Sequence, residues 1–169
     1  MNTTQLCTLL KQELLDNGYD YGFFFNGNRY VPNRQIGFDG SFAHAMKTIY
    51  RIQEPSVTMR EKVGTCLDTV LVMKALLAPM NIPNKIWLVL HCATKAPHTV
   101  LTFVSEGKVV YLELTPWSNK PWYGKELIYD DEKAFLAHFT AEGYRVIDVT
   151  DKVIPGASPS SLLDESAPS

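Results

Sequence analysis

Cysteine is scarce in this chain and no C-x-x-C pair occurs: Cys7, Cys66 and Cys92 make up the whole complement of 3. So odd and sparse a set argues against a disulfide framework and against a closed structural zinc site, and within one chain it leaves at least one thiol free. His91, Cys92, His98 and Cys66 do not make a metal site either, because adjacent strand residues point to opposite faces and His91 and Cys92 cannot readily ligate one ion. Long apolar runs are missing as well. None approaches the ~18 to 20 residues of a membrane span, and the opening MNTTQLCTLL lacks the cationic start of a signal peptide. The expectation is a cytoplasmic protein without a membrane partner. Positive charge is not in excess: charged residues are 20% of the chain and the formal net charge is -2, so no basic field is available to gather nucleic acid. A phosphate-binding Gly-rich loop and an internal repeat are also lacking, and no cofactor is implied.

What is present suits one domain. The 169 residues, 46% of them hydrophobic, are enough for one good core and too few for two ordinary domains. Thr3 to Asn17 puts Leu6, Leu9, Leu10 and Leu14 on one helical face and stops at Asn17-Gly18. Tyr19 to Gly40 is rich in aromatics, Gly and Asn and reads as an irregular lobe with a short hairpin around Asn26-Gly27. A second helix is expected over Ser41 to Gln53, ended by Glu54-Pro55, with a linker from Ser56 to Lys62. Cys66 to Met80 is apolar almost all round until Pro79 closes it, which marks a helix for the centre of the domain. Three strand-like runs follow, Lys85 to Cys92, Thr99 to Val104 and Lys108 to Leu114. Pro116 to Lys125 reads as a loop, Asp130 to Gly143 as a helix and Tyr144 to Val149 as a last strand. The fold class is therefore α+β, a central helix packed on an antiparallel sheet. Residues 1–152 form the domain, and 153–169, rich in Ser, Pro and Ala, are expected to be a disordered tail.

The start of the central helix carries the chemistry. Thr65 is placed as an N-cap with Asp68 three residues on, so Cys66 occupies the first helical position, near unpaired backbone amides. The partial positive charge there favours a thiolate, and the same amides can bind a developing oxyanion. Gly64 lets a substrate approach the backbone closely. A thiol nucleophile needs a base, and the base needs an orienting acceptor; His98 and Glu113 can supply both. If the turn is Ser105-Glu106, Val104 pairs with Gly107 and His98 falls opposite Glu113. If it is Ser105-Glu106-Gly107, Val104 pairs with Lys108 and Glu113 turns to the other face unless a bulge intervenes. Both registers remain open. Cys7 and Cys92 read as ordinary structural cysteines.

Gly64-Thr65-Cys66-Leu67-Asp68 opening an apolar helix, Asn81-Ile82-Pro83 before a strand, His98-Thr99-Val100, and Tyr111-Leu112-Glu113-Leu114-Thr115-Pro116 together resemble the transglutaminase-like cysteine protease superfamily. The likeness covers roughly residues 60 to 118. It implies a papain-like α+β fold in which Cys66, His98 and Glu113 form the triad. Two positions depart from the family pattern: Glu113 stands where Asp followed by Pro is common, and Thr99 replaces the usual aromatic after the histidine.

The expected function is thiol-dependent amide-bond chemistry through a thioester. Water as second nucleophile gives peptide or amide hydrolysis, an amine gives transamidation, and an acyl carrier gives acyl transfer; a peptide or amide is the expected substrate. Asn33 and Gln35 are candidates for a second oxyanion donor. Trp117, Trp122 and Tyr123 are candidates for the substrate groove. The competing expectation is a non-catalytic transglutaminase-like domain that binds a protein partner through residues 117–123 and 19–30.

Overall fold

The computed structural model describes residues 1–33 and 40–163, and Gln35 lies outside them. Helix α1 (Thr3–Glu13) is capped by Asn2, whose side chain accepts from the Gln5 N–H while the Gln5 side chain accepts from the Asn2 N–H. It buries Leu6, Cys7 and Leu10. A short 3₁₀ turn over Leu15–Asn17 then ends on Gly18 in the left-handed region. Strand β1 (Asp20–Tyr21) precedes the hairpin of β2 (Phe23–Phe25) and β3 (Asn28–Tyr30), which turns on Asn26 and Gly27 at φ 51 and 81, as the Asn-Gly pair predicts.

Helix α2 (Gly40–Thr48) stops five residues short of the expected Gln53. The expected linker is a helix, α3 (Pro55–Glu61): Pro55 pre-sets the first helical φ and has no N–H to leave unpaired, so Glu54-Pro55 starts a helix as well as excluding one upstream. Strand β4 (Val63–Gly64) pairs in parallel with β1 and leads straight into α4 (Cys66–Leu77). A 3₁₀ turn through Pro79 closes α4.

The remaining chain builds one five-stranded sheet. Strands β5 (Asn84–His91), β6 (Pro97–Ser105), β7 (Lys108–Leu112), β8 (Glu126–Tyr129) and β9 (Tyr144–Asp148) lie in the order β8-β7-β6-β5-β9, every neighbouring pair antiparallel. Helix α5 (Glu132–Ala141), N-capped by Asp131, links β8 to β9. The central strands read as almost unbroken apolar runs because both faces are covered. On one face Ile86, Leu88, Leu101, Phe103 and Leu112 join the cluster that holds Val70, Met73 and Leu77 of α4. On the other, Trp87, Val89, Val100 and Tyr111 pack with Phe135 and Phe139 of α5. The expected antiparallel sheet against a central helix is therefore present, with a second helix behind it.

The segment expected to be disordered from 153 is corrected as far as Leu163. Val153 and Leu162 are buried in the main core, and Pro159–Leu163 is a 3₁₀ turn. The Ile52 N–H donates to the Ala157 carbonyl at 3.0 Å and the Gly156 N–H to the Ile52 carbonyl at 2.7 Å. Two well-spaced apolar residues and one backbone clip outweigh a Ser/Pro-rich composition. No helix among the described residues is long and apolar enough to cross a membrane.

Candidate active site

The N-terminus of α4 is held from below by a buried polar cluster. Thr65 Oγ1 accepts from the N–H groups of Leu67 (3.2 Å) and Asp68 (3.5 Å), and Asp68 Oδ2 accepts from the Thr65 N–H at 2.9 Å, completing a capping box. Asp68 Oδ1 also accepts from the Gln53 N–H at 2.8 Å and the Tyr50 hydroxyl at 3.0 Å. Gln53 extends the cluster outward: its amide donates to Thr58 Oγ1 and to the Val63 carbonyl, and its carbonyl oxygen accepts from the Phe24 N–H. Burial pushes Asp68 up to about 6, against the hydrogen bonds from Thr65, Gln53 and Tyr50 that favour its ionised form. Gly64 is required here for space. A Cβ at that position would stand 2.9 Å from Thr58 Cγ2 and 3.0 Å from Asp68 Cβ.

Cys66 is the first residue of α4, and its own N–H takes no partner among the described residues, while the next two amides are occupied by Thr65. Burial raises the Cys66 thiol, but hydrogen bonding and charge from His98, together with the hydroxyl and backbone of Thr99, outweigh it and hold the thiol below its ordinary value. Burial alone would lower His98. The thiol on one side and Glu113 on the other raise it instead, to about 10. Glu113, 2% exposed, is likewise pushed up by burial and brought below the usual carboxylate range by His98, the Tyr111 hydroxyl and the Thr115 N–H. The row thus favours an imidazolium at His98, set between a thiol drawn toward its ionised form and a carboxylate.

The β6–β7 register explains how His98 and Glu113 meet. Ser105 pairs with Lys108 and Thr102 with Tyr111, so the turn is Glu106-Gly107, at φ 52 and 74, and neither sequence-derived register is adopted. Carried past the end of β7, this pairing sets Val100 opposite Glu113. His98, two residues from Val100, becomes its diagonal neighbour on the same face. His98 Nε2 bonds Glu113 Oε1, which leaves Nδ1 as the ring nitrogen for the thiol. The same Glu113 oxygen accepts from the Tyr111 hydroxyl at 2.9 Å, and Tyr111 in turn accepts from Trp122 Nε1 at 3.1 Å. The Thr115 N–H donates to Glu113 Oε2 at 3.3 Å. A longer carboxylate than Asp is thus fixed by three donors.

A cleft of about 750 Å³ opens at His98, with Tyr21, Asn33, Thr115, Trp117, Lys120 and Tyr144 in its wall. No family model, curated protein or solved structure matches the chain.

Of the residues singled out from sequence, Cys66, His98 and Glu113 converge, and Asn33 and Trp117 line the cleft. Trp122 and Tyr123 do not line it. Trp122 packs against Phe139 and Tyr111 behind the sheet, and Tyr123 bridges to Glu113, so both stand behind the carboxylate that orients His98. Three residues escaped sequence reading. Tyr21 lines the cleft; burial, and then the negative charge of Cys66 and Asp68, raise its hydroxyl, so it stays protonated and able to donate. Tyr50 and Gln53 fix Asp68 from far along the chain. The one available signal was the polar Gln53 among the apolar positions of its segment.

Glu113→Gln provides a first test of this geometry. An amide keeps the size and the Tyr111 contact but removes the charge that raises His98. The imidazolium should then be lost at lower pH, so the titration of the His98 ring should move down by about one pH unit or more. The NMR shifts of the His98 ring protons followed against pH read this directly, and an unmoved titration would exclude Glu113 as the orienting group.

Proposed function

We propose that this protein is a thiol-dependent amide-bond enzyme of the transglutaminase-like, papain-like kind, with Cys66 as nucleophile, His98 as acid and base, and Glu113 as orienting carboxylate. The observation that carries the reading is the row of the half-buried Cys66 thiol, the half-buried His98 ring and the buried Glu113 carboxyl, with His98 facing a cleft. The Cys66 thiolate attacks the amide carbonyl, a C–S bond forms, and the Cys66 N–H receives the oxyanion. The imidazolium of His98 gives its proton to the departing amine as the C–N bond breaks, leaving a thioester. His98, now neutral, takes a proton from water as it attacks, and the C–S bond breaks to release acid and thiolate. An amine or another acyl acceptor in place of water gives transamidation or acyl transfer on the same triad. Tyr21 and Asn33, both in the cleft wall, are the candidates for a second oxyanion donor.

The non-catalytic alternative draws its support from Glu113 standing where Asp is usual. The Glu113 carboxyl lies against His98 Nε2, as an orienting acid would, and this supports the catalytic reading instead.

The test is acyl-enzyme trapping by mass spectrometry with activated esters and peptide anilides. The expected result is an acyl adduct on Cys66 alone, released by hydroxylamine. No adduct on Cys66, or equal labelling of Cys66 and the exposed Cys92, would end the enzyme reading.

A further inference from the structure

The wall of the cleft is uneven in charge. Lys11, Lys85 and Lys108 elsewhere on the surface each pair with a carboxylate. Lys120 does not pair with one among the described residues. Its ammonium lies 3.1 Å from the Tyr144 hydroxyl, to which it donates, and 5.4 Å from the centre of the Tyr144 ring. Both contacts hold the cation in place and neither cancels its charge. No described residue of the cleft wall is Asp or Glu.

A second donor stands against Tyr144. The His91 ring meets the Tyr144 ring edge-on at 5.1 Å, and His91 Nδ1 accepts from the N–H groups of Ala93 and Thr94, both at 3.3 Å. An accepting Nδ1 leaves the proton on Nε2. Gly143 leaves room beside that nitrogen, since a Cβ added at Gly143 would still stand 3.8 Å from it. His91, Tyr144 and Lys120 all line the cleft that contains His98.

Resting on the proposed thiol chemistry, we infer that the cleft selects substrates bearing a carboxylate, received by Lys120 and the Nε2–H of His91 at the Tyr144 end, while the scissile carbonyl lies at Cys66. A fixed, unneutralised ammonium beside a neutral donor suits a carboxylate. The same charge repels an ammonium, so a free lysine side chain is a poor occupant of this end of the cleft.

Chloroacetamide probes separate this selectivity from the reactivity of the thiol itself. One series ends in a carboxylate, one in a carboxamide and one in an ammonium, each with linkers of graded length, and labelling of Cys66 is followed by mass spectrometry. A further pair places the acid either at a C-terminus or on a glutamate side chain with an amidated terminus, which tells the two sources apart. At the best linker length the carboxylate should label about tenfold faster than the carboxamide, and the ammonium should lag. Lys120→Met keeps an apolar stem over Tyr144 and should abolish the preference without slowing the carboxamide probe; Lys120→Arg should restore it. Because His98 is unchanged in these variants, its own charge cancels from the comparison. Equal rates for all three series, or a preference indifferent to Lys120→Met, would overturn the inference and leave the thiol chemistry standing. If Cys66 reacted no faster than Cys92 with any probe, both would fall.

Discussion

Replacing His98 by alanine should raise the pH at which Cys66 becomes nucleophilic from below the ordinary thiol value to above it. Two opposed effects fix the wild-type thiol: burial, which raises it, and His98 with Thr99, which bring it down further than burial pushes it up. Removing His98 leaves burial opposed by Thr99 alone. A thiol that ionises one pH unit higher holds about tenfold less thiolate at neutral pH, so alkylation of Cys66 near pH 7 should fall by about tenfold or more. His98 is held protonated up to about 10, above its unfolded value, so the stability it contributes is fully present below the unfolded pKa and lost as pH rises through about 10. The variant should therefore lose stability relative to wild type at neutral pH, and the gap should close toward strongly alkaline pH. Cys7 serves as an internal control, because burial and the nearby Glu126 hold its thiol up at about 11. An unchanged alkylation profile at Cys66 in His98→Ala would remove the Cys66–His98 couple.

The second large effect is expected at Asp68, which touches no substrate. Asp68→Ala takes the acceptor from the Thr65 N–H, the Gln53 N–H and the Tyr50 hydroxyl, all buried. A buried donor left without a partner costs about 1 to 3 kcal/mol, and relief from burying a carboxylate offsets part of the sum, so a net loss of about 3 to 5 kcal/mol is expected. The pH dependence has a definite sign. The folded-state value of Asp68, about 6, lies above the unfolded one, so its contribution is greatest below the unfolded pKa and is lost as pH rises through about 6. The deficit of Asp68→Ala should thus be larger at pH 5 than at pH 7.5, by about 1 kcal/mol. Denaturant melts of both proteins at the two pH values measure this, and a wider gap at the higher pH would contradict the assignment. Because Asp68 also anchors the first turn of α4, Cys66 alkylation should slow under conditions where the variant remains folded.

The place of Cys66 was readable from sequence because its cause is local: Thr65 and Asp68 at capping spacing before an apolar run fix a helix start, and Cys66 sits on it. His98 and Glu113 were readable as a pair, while their register was not. Type I′ turns favour Asn or Gly at the first central position, so Glu106 at positive φ gave no warning that Glu106-Gly107 would be the turn. The short edge strand β8 passed unnoticed because four residues, Glu-Leu-Ile-Tyr, are too few to show a period. Helix α3 was hidden by its seven-residue length and its opening proline. Trp122 looked like a groove residue because an aromatic in a Pro/Gly loop carries no sign of which side it will face. Lys120, Tyr21 and Tyr50 matter only through partners far along the chain, and no sequence pattern records such contacts.

Cys66, His98 and Glu113 lie on α4, on β6 and just past β7, whereas the cleft at His98 also takes Tyr21 and Asn33 from one end of the chain, Tyr144 from the other, and His91 and Lys120 from between them. On the proposed thiol chemistry, much of the cleft wall can therefore change without touching the three residues that would make the bond. Exchanging His91, Lys120 or Tyr144, or residues before β4, can on that reading retune what enters the cleft while leaving Cys66, His98 and Glu113 as they are, so divergent copies of this chain should differ first at the wall.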